Sequence, residues 1–133
     1  LFTLLLARKF EKVTGVEANK DAIDFAEKSA ESARIENIEF RADQVDDFLA
    51  ENDLLEIDFI LLDPPRSGAE KKIIENIIKI NPSEISYISC EPSILARDLR
   101  MLIDAGYSIE SITALDLFPQ THHIETIVRL QKV

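Results

Sequence analysis

The sequence predicts an α/β fold: an open, mostly parallel sheet with helices on both faces and a C-terminal antiparallel strand. Three observations carry this. Helix-period and strand-period segments alternate along the chain. The segment Ile57-Asp58-Phe59-Ile60-Leu61-Leu62 is a nearly continuous apolar run, the pattern of a strand buried on both faces of a parallel sheet. The last two strand candidates are joined by only about six residues, too few for a crossover, so they pair antiparallel.

Taken in order, Phe2 to Phe10 read as the end of a helix and Lys12 to Glu17 as a short strand. Asn19 is a suitable N-cap, and Asp21 falls in the first turn, where the helix dipole favours an acid. The helix that follows carries Ala22, Ile23, Ala26, Ala30 and Ala33 on one face. Ile38 to Ala42 form the next strand, and a short helix holds Val45, Phe48 and Leu49. After the Ile57–Leu62 run, Ile73, Ile74, Ile77 and Ile78 give a helical stripe that ends near Asn81-Pro82. Ile85 to Ser89 are a strand. Pro92 suits a first helical turn, with Leu95, Leu99, Leu102 and Ile103 facing inward and Gly106 ending the helix. The last two strands run from Tyr107 to Leu117 and from Ile124 to Leu130.

The 133 residues fit one domain, residues 1–133, around one core. No run of about 18 apolar residues predicts a membrane span. The apolar start lacks the flanks of a signal peptide. It also lacks an initiator Met, which predicts a chain that begins inside a larger protein. The net charge of -10 excludes a chain that is basic overall, so RNA, if bound, would have to find most of its phosphate contacts elsewhere. One cysteine rules out an internal disulfide and a multi-thiolate metal site, and suits a reducing cytoplasm.

Ligands of open α/β sheets bind outside the carboxyl ends of the strands. Glu17 ends the first strand, Asp43 follows the second, Asp63 ends the third and Cys90 ends the fourth. Glu125 begins the last, antiparallel strand, which returns it to the same edge. Each has a plainer reading. Glu17 and Asp43 fit a helix cap or loop acid as well as a carboxylate binding the ribose hydroxyls of a nucleoside cofactor. A lone Cys at a strand end is, on pattern alone, more often a small core residue. His122, His123 and Glu125 crowd one segment and do not point the same way, which argues against a metal site. Asp63-Pro64-Pro65-Arg66-Ser67-Gly68 is more specific. Two prolines stiffen the loop, Gly68 permits a turn, and an acid at its root suits a flat, polar ring.

This motif, then Ser89-Cys90-Glu91-Pro92 with Leu95-Ala96-Arg97-Asp98-Leu99, then Phe118-Pro119-Gln120-Thr121-His122-His123-Ile124-Glu125-Thr126, resembles the RNA (uracil-5-)-methyltransferases. The resemblance covers essentially the whole chain. It implies a Rossmann-like class I S-adenosylmethionine-dependent methyltransferase fold, lacking its first strand and glycine-rich loop. The only glycines are Gly15, Gly68 and Gly106. It implies S-adenosyl-L-methionine as cofactor and a uridine in tRNA or ribosomal RNA as substrate. Cys90 matches the nucleophile and Glu125 the base that removes the C5 proton. Asp63 matches a residue at the junction of cofactor and uracil, with Arg66 beside it for substrate binding. Glu17 matches the cofactor ribose acid, and Asp43 the adenine end. The family usually has Asn where this chain has Glu91, Thr where it has Ile94, and His where it has Gln120.

The chemistry explains the residue types. C5 of uracil is a poor nucleophile until a thiolate adds to C6, and the C5 proton must then leave so that the thiolate can be expelled. The resemblance also implies that the chain alone binds the cofactor poorly and is inactive. A missing strand would expose sheet edges that invite self-association. Two other readings stay open: a methyltransferase of the same fold acting on another substrate, and a non-enzymatic α/β nucleotide-binding module.

Overall fold

The computed structural model describes residues 2–51, 56–117, 119–121 and 123–133. The chain forms two compact units, Leu1–Glu51 and Asn52–Val133.

In the first unit, α1 (Phe2–Leu6) is followed by β1 (Val13–Val16), α2 (Lys20–Ser32), β2 (Ile38–Arg41) and α3 (Val45–Glu51). β1 and β2 pair in parallel, with Val13 opposite Ile38 and Val16 opposite Arg41. Asn37 fastens the turn before β1, because its Nδ2 donates to the carbonyls of Ala7 and Phe10, both at 2.9 Å. The core is small: Ala7, Ile23, Ala30, Phe48 and Leu49 are buried. Asn19 caps α2 as its position predicts, with Oδ1 accepting from Ala22 N at 3.2 Å. The apolar face of α2 is narrower than the periodicity predicts. Ile23 and Ala30 are buried, but Ala22 and Ala33 are exposed. Ile23, Ala26 and Ala30 lie at i, i+3 and i+7 and form the covered stripe, whereas Ala22 is rotated about 100° from Ile23 and Ala33 lies past the end of the helix.

In the second unit, β3 (Phe59–Leu62), α4 (Lys71–Ile80), β4 (Glu84–Ser89), α5 (Pro92–Asp104), β5 (Tyr107–Leu115) and β6 (Glu125–Lys132) follow in order. The sheet order is β3-β4-β6-β5. β3 and β4 are parallel, and β6 runs antiparallel to both β4 and β5. The last two strands therefore pair as predicted, and β6 inserts between β4 and β5. Asn81 ends α4 in the left-handed conformation (φ 58°), with Pro82 barring continuation. Gly106 (φ 93°) turns the chain out of α5. The Tyr107 hydroxyl then donates to Pro82 O at 2.8 Å, joining the ends of the two helices.

Two expectations shift here. The Ile57–Leu62 run gives a strand only from Phe59, and of its residues only Leu62 is buried. Among the described residues the only ladder partner of β3 is β4, so β3 has a free edge. On α5, Leu95, Leu99 and Leu102 are buried, but Ile103 is 41% exposed and Asp98 is 1% exposed. At 3.6 residues per turn Asp98 shares the face of Leu95 and Leu102, while Ile103 is rotated away from Leu102 by about 100°. The far edge strand, β5, is mostly exposed and carries a register irregularity between Ile109 and Ser111. No helix among the described residues is long and apolar enough to cross a membrane.

Candidate functional site

In the first unit the ladder register sets Glu17 and Asp43 just past the carboxyl ends of two parallel strands. Glu17 N extends the ladder by donating to Arg41 O at 3.1 Å. Its carboxylate Oε1 accepts from Asn19 N at 2.8 Å, so the residue that caps α2 also orients the acid that ends β1. Asp43 Oδ2 receives a forked contact from Arg41, at 3.0 Å from Nε and 2.9 Å from Nη2. Both acids thus lie at one edge of this sheet, each aimed by a neighbour two residues away.

In the second unit Asp63 follows β3 and Cys90 follows β4, again at the carboxyl ends of parallel strands. β6 enters the sheet at that same edge. Its last ladder step with β4 sets Ser89 opposite Thr126. One further step along this register matches Cys90 with Glu125. Opposed residues of antiparallel strands have Cα atoms about 4.5–5.5 Å apart and share a face of the sheet. The exposure pattern follows the pleat: Ser89 and Thr126 are buried, whereas Cys90 and Glu125 are both half-buried. The ladder itself ends at Ser89 and Thr126; Cys90 lies in the bend just past β4, and Glu125 is the first residue of β6 at the same edge of the sheet.

The loop after Asp63 is built more firmly than its composition predicts. Gly68 N donates to Pro65 O at 2.8 Å, closing a turn with Arg66 and Ser67 at its exposed tip. Gly68 has φ 81°, and a Cβ there would lie 2.4 Å from Ile94 Cγ2 and 2.6 Å from Asp98 Oδ2. Only glycine fits both the backbone and the space. Ala69 N donates to the Tyr87 hydroxyl and to Asp98 Oδ2, each at 3.0 Å, and the Tyr87 hydroxyl donates in turn to Asp98 Oδ2. Arg97 pairs with Asp98 Oδ1 at 2.7 Å and donates to the carbonyls of Ser67 at 3.2 Å and Ala69 at 3.3 Å. Burial, and then the hydrogen bond to Asp98, push the Tyr87 hydroxyl well above its ordinary pKa, so it stays a proton donor.

Sequence reasoning missed Tyr87, Arg97 and Asp98 as members of a network, although Arg97 and Asp98 lie inside a motif it singled out. The signal was an acid on the apolar stripe of α5, three residues after Leu95 and four before Leu102. The departures from the family pattern have visible places. Glu91 stands at the N-cap of α5 without a capping bond from its side chain, and its Oε1 accepts from Ser93 Oγ at 2.7 Å. Ser89 Oγ accepts from Glu91 N at 3.1 Å, tightening the bend that holds Cys90. Ile94 lies against Gly68. Gln120 takes a left-handed conformation (φ 69°). Thr121 Oγ1 then accepts from His123 N at 3.2 Å, ahead of β6. Phe118 and His122 of the third motif lie outside the described residues.

The sequence and fold as a whole have counterparts in known proteins. The model of the tRNA (Uracil-5-)-methyltransferase family matches residues 1–133. The chain belongs to this family. A protein of Caldanaerobacter subterraneus subsp. tengcongensis, named as an RNA methyltransferase, is 37% identical over 98% of this chain and 29% of its own length. One of Prochlorococcus marinus, also named as an RNA methyltransferase, is 43% identical over 96% of this chain and 30% of its own length. The solved Pyrococcus abyssi tRNA (uracil-54, C5)-methyltransferase, in complex with S-adenosyl-L-homocysteine, superposes with a TM-score of 0.82 at 31% identity. That match covers 97% of this chain and 31% of the solved one. The fold is the Rossmann-like methyltransferase fold, and the chain spans under a third of the length of these family members.

Proposed function

We propose that the full-length protein containing this chain methylates C5 of a uridine in RNA, with S-adenosylmethionine as methyl donor and a covalent Cys90–uracil adduct as intermediate. The observation that supports this best is the β4–β6 register, whose next step matches Cys90 with Glu125. Nucleophile and base must act on adjacent atoms of one ring, C6 and C5, and neighbouring strand positions suit that spacing.

Glu17 and Asp43 fit the cofactor's nucleoside end. Glu17 is an exposed carboxylate at a strand terminus that uses one oxygen on Asn19 N and keeps lone pairs for ribose hydroxyls. When bound, the cofactor supplies an electrophilic methyl group. Cys90 adds to C6 of the unstacked uracil, which makes C5 electron-rich. Asp63 stands at the junction of cofactor and base, and Arg66 contacts the substrate. After C5 is methylated, Glu125 removes its proton and the Cys90 thiolate leaves. The tRNA substrate of the Pyrococcus abyssi relative favours tRNA over ribosomal RNA.

A net charge of -10 assigns most phosphate binding to parts of the protein outside these residues. The two units belong to one cytoplasmic methyltransferase domain. The 133 residues by themselves bind the cofactor poorly, are inactive, and associate through open sheet edges. Low-micromolar cofactor binding by the isolated chain in calorimetry would overturn that part.

The test of activity uses the full-length protein, uridine-containing tRNA and cofactor labelled in its methyl group. Label should enter C5 of uridine with the wild type and be absent with Cys90→Ala. Wild-type incorporation by Cys90→Ala would refute the proposal.

A further inference from the structure

The roles assigned above leave a buried charged cluster unused. We infer that Asp98 is a positioning residue: through Tyr87, Arg97 and the Ala69 amide it holds the Asp63–Gly68 loop in register with the segment that carries Cys90. The inference rests on the functional reading above.

Asp98 is 1% exposed on a helix face otherwise made of Leu95, Leu99 and Leu102. A carboxylate buried this deeply is unfavourable unless its lone pairs are filled. Here Oδ2 accepts from Ala69 N and Tyr87, and Oδ1 from Arg97. An apolar side chain would continue the stripe without that penalty. It would not tie three segments together. Those segments carry the candidate chemistry. Ser67 and Ala69, gripped by Arg97, close the loop that begins at Asp63 and bears Arg66. Tyr87 lies three residues before Cys90 on β4, and α5 starts two residues after it. The cluster therefore fixes the distance between the loop facing the base and the strand end bearing the nucleophile. A misplacement of about 1 Å at reacting groups can slow a reaction by about 100-fold.

The experiment follows adduct formation between full-length protein and RNA containing 5-fluorouridine, in single turnover, recording both rate constant and final amplitude per total protein. Asp98→Asn keeps size and shape but turns an amide toward Arg97. Its rate constant should fall at least about 10-fold, with the amplitude preserved. Tyr87→Phe keeps the Asp98–Ala69 and Asp98–Arg97 contacts and should slow the reaction about 5-fold. A merely structural role predicts the opposite pattern, a lower amplitude with an unchanged rate constant, and that result would overturn the inference. So would a wild-type rate constant in Asp98→Asn. Should Asp98→Asn fail to fold, Tyr87→Phe decides alone: an unchanged rate constant rejects the inference. Absence of any adduct in the wild type sinks the functional reading and this inference with it. A wild-type adduct that Asp98→Asn forms equally fast sinks the inference only.

Discussion

Glu17 and Asp43 in the first unit are aimed by partners two residues away, at the surface, with Arg41 paired to Asp43. Asp63 and Cys90 in the second unit flank segments clamped by a buried carboxylate, a buried phenol and an arginine. The difference fits the roles proposed for these residues. A carboxylate that receives ribose hydroxyls can re-aim at little cost, because exposed ion pairs contribute about 0–1 kcal/mol. The proposed nucleophile and base would act on adjacent ring atoms and need fixed spacing, and the second unit carries a strand register and a buried network next to them.

Substitutions can break or sharpen that contrast. The largest effect belongs to Glu125→Gln in the full-length protein. Turnover should fall by about 100-fold or more while cofactor affinity stays near wild type, with methylated adduct accumulating. Near-normal turnover would remove Glu125 as the base. Next comes Gly68→Ala, which combines a left-handed backbone with a clash against Ile94 and Asp98. It should destabilise by about 2–4 kcal/mol, read as a lower urea midpoint. An unchanged midpoint would mean that the loop is not clamped as described. Tyr87→Phe removes one buried hydroxyl while Ala69 N keeps its bond to Asp98, so its effect on stability should be about 1 kcal/mol by the same measurement. Smallest is Arg41→Ala, whose ion pairs are partly exposed; it should shift stability by less than about 1 kcal/mol. A loss as large as that of Gly68→Ala would erase the distinction between the units.

Much of this was legible in the sequence because it depends on local chemistry. Asn19 announced the start of α2, Asn81-Pro82 the end of α4, and the short link before Ile124 the antiparallel final pair. Motif order carried the family. The burial of β3 was not legible, because a strand's composition does not say whether both of its neighbours are present. Nor was the insertion of β6 between β4 and β5, since loop length fixes the direction of a pair and not its place in the sheet. Asp98 was visible as an anomaly on an apolar stripe. Its partners were not, because Tyr87 and Ala69 come from other elements and meet it only in three dimensions. For the candidate site, topology alone predicted that Asp63, Cys90 and Glu125 share an edge, whereas the register that ends at Ser89 and Thr126, beside Cys90 and Glu125, required the ladder.

The most direct test of the central claim is the site of covalent attachment. Full-length protein is incubated with cofactor and 5-fluorouridine RNA, digested, and the cross-linked peptide is sequenced by mass spectrometry. Attachment at Cys90, lost in Cys90→Ala, is the predicted result. Attachment at any other residue, or an undiminished adduct in Cys90→Ala, would contradict it.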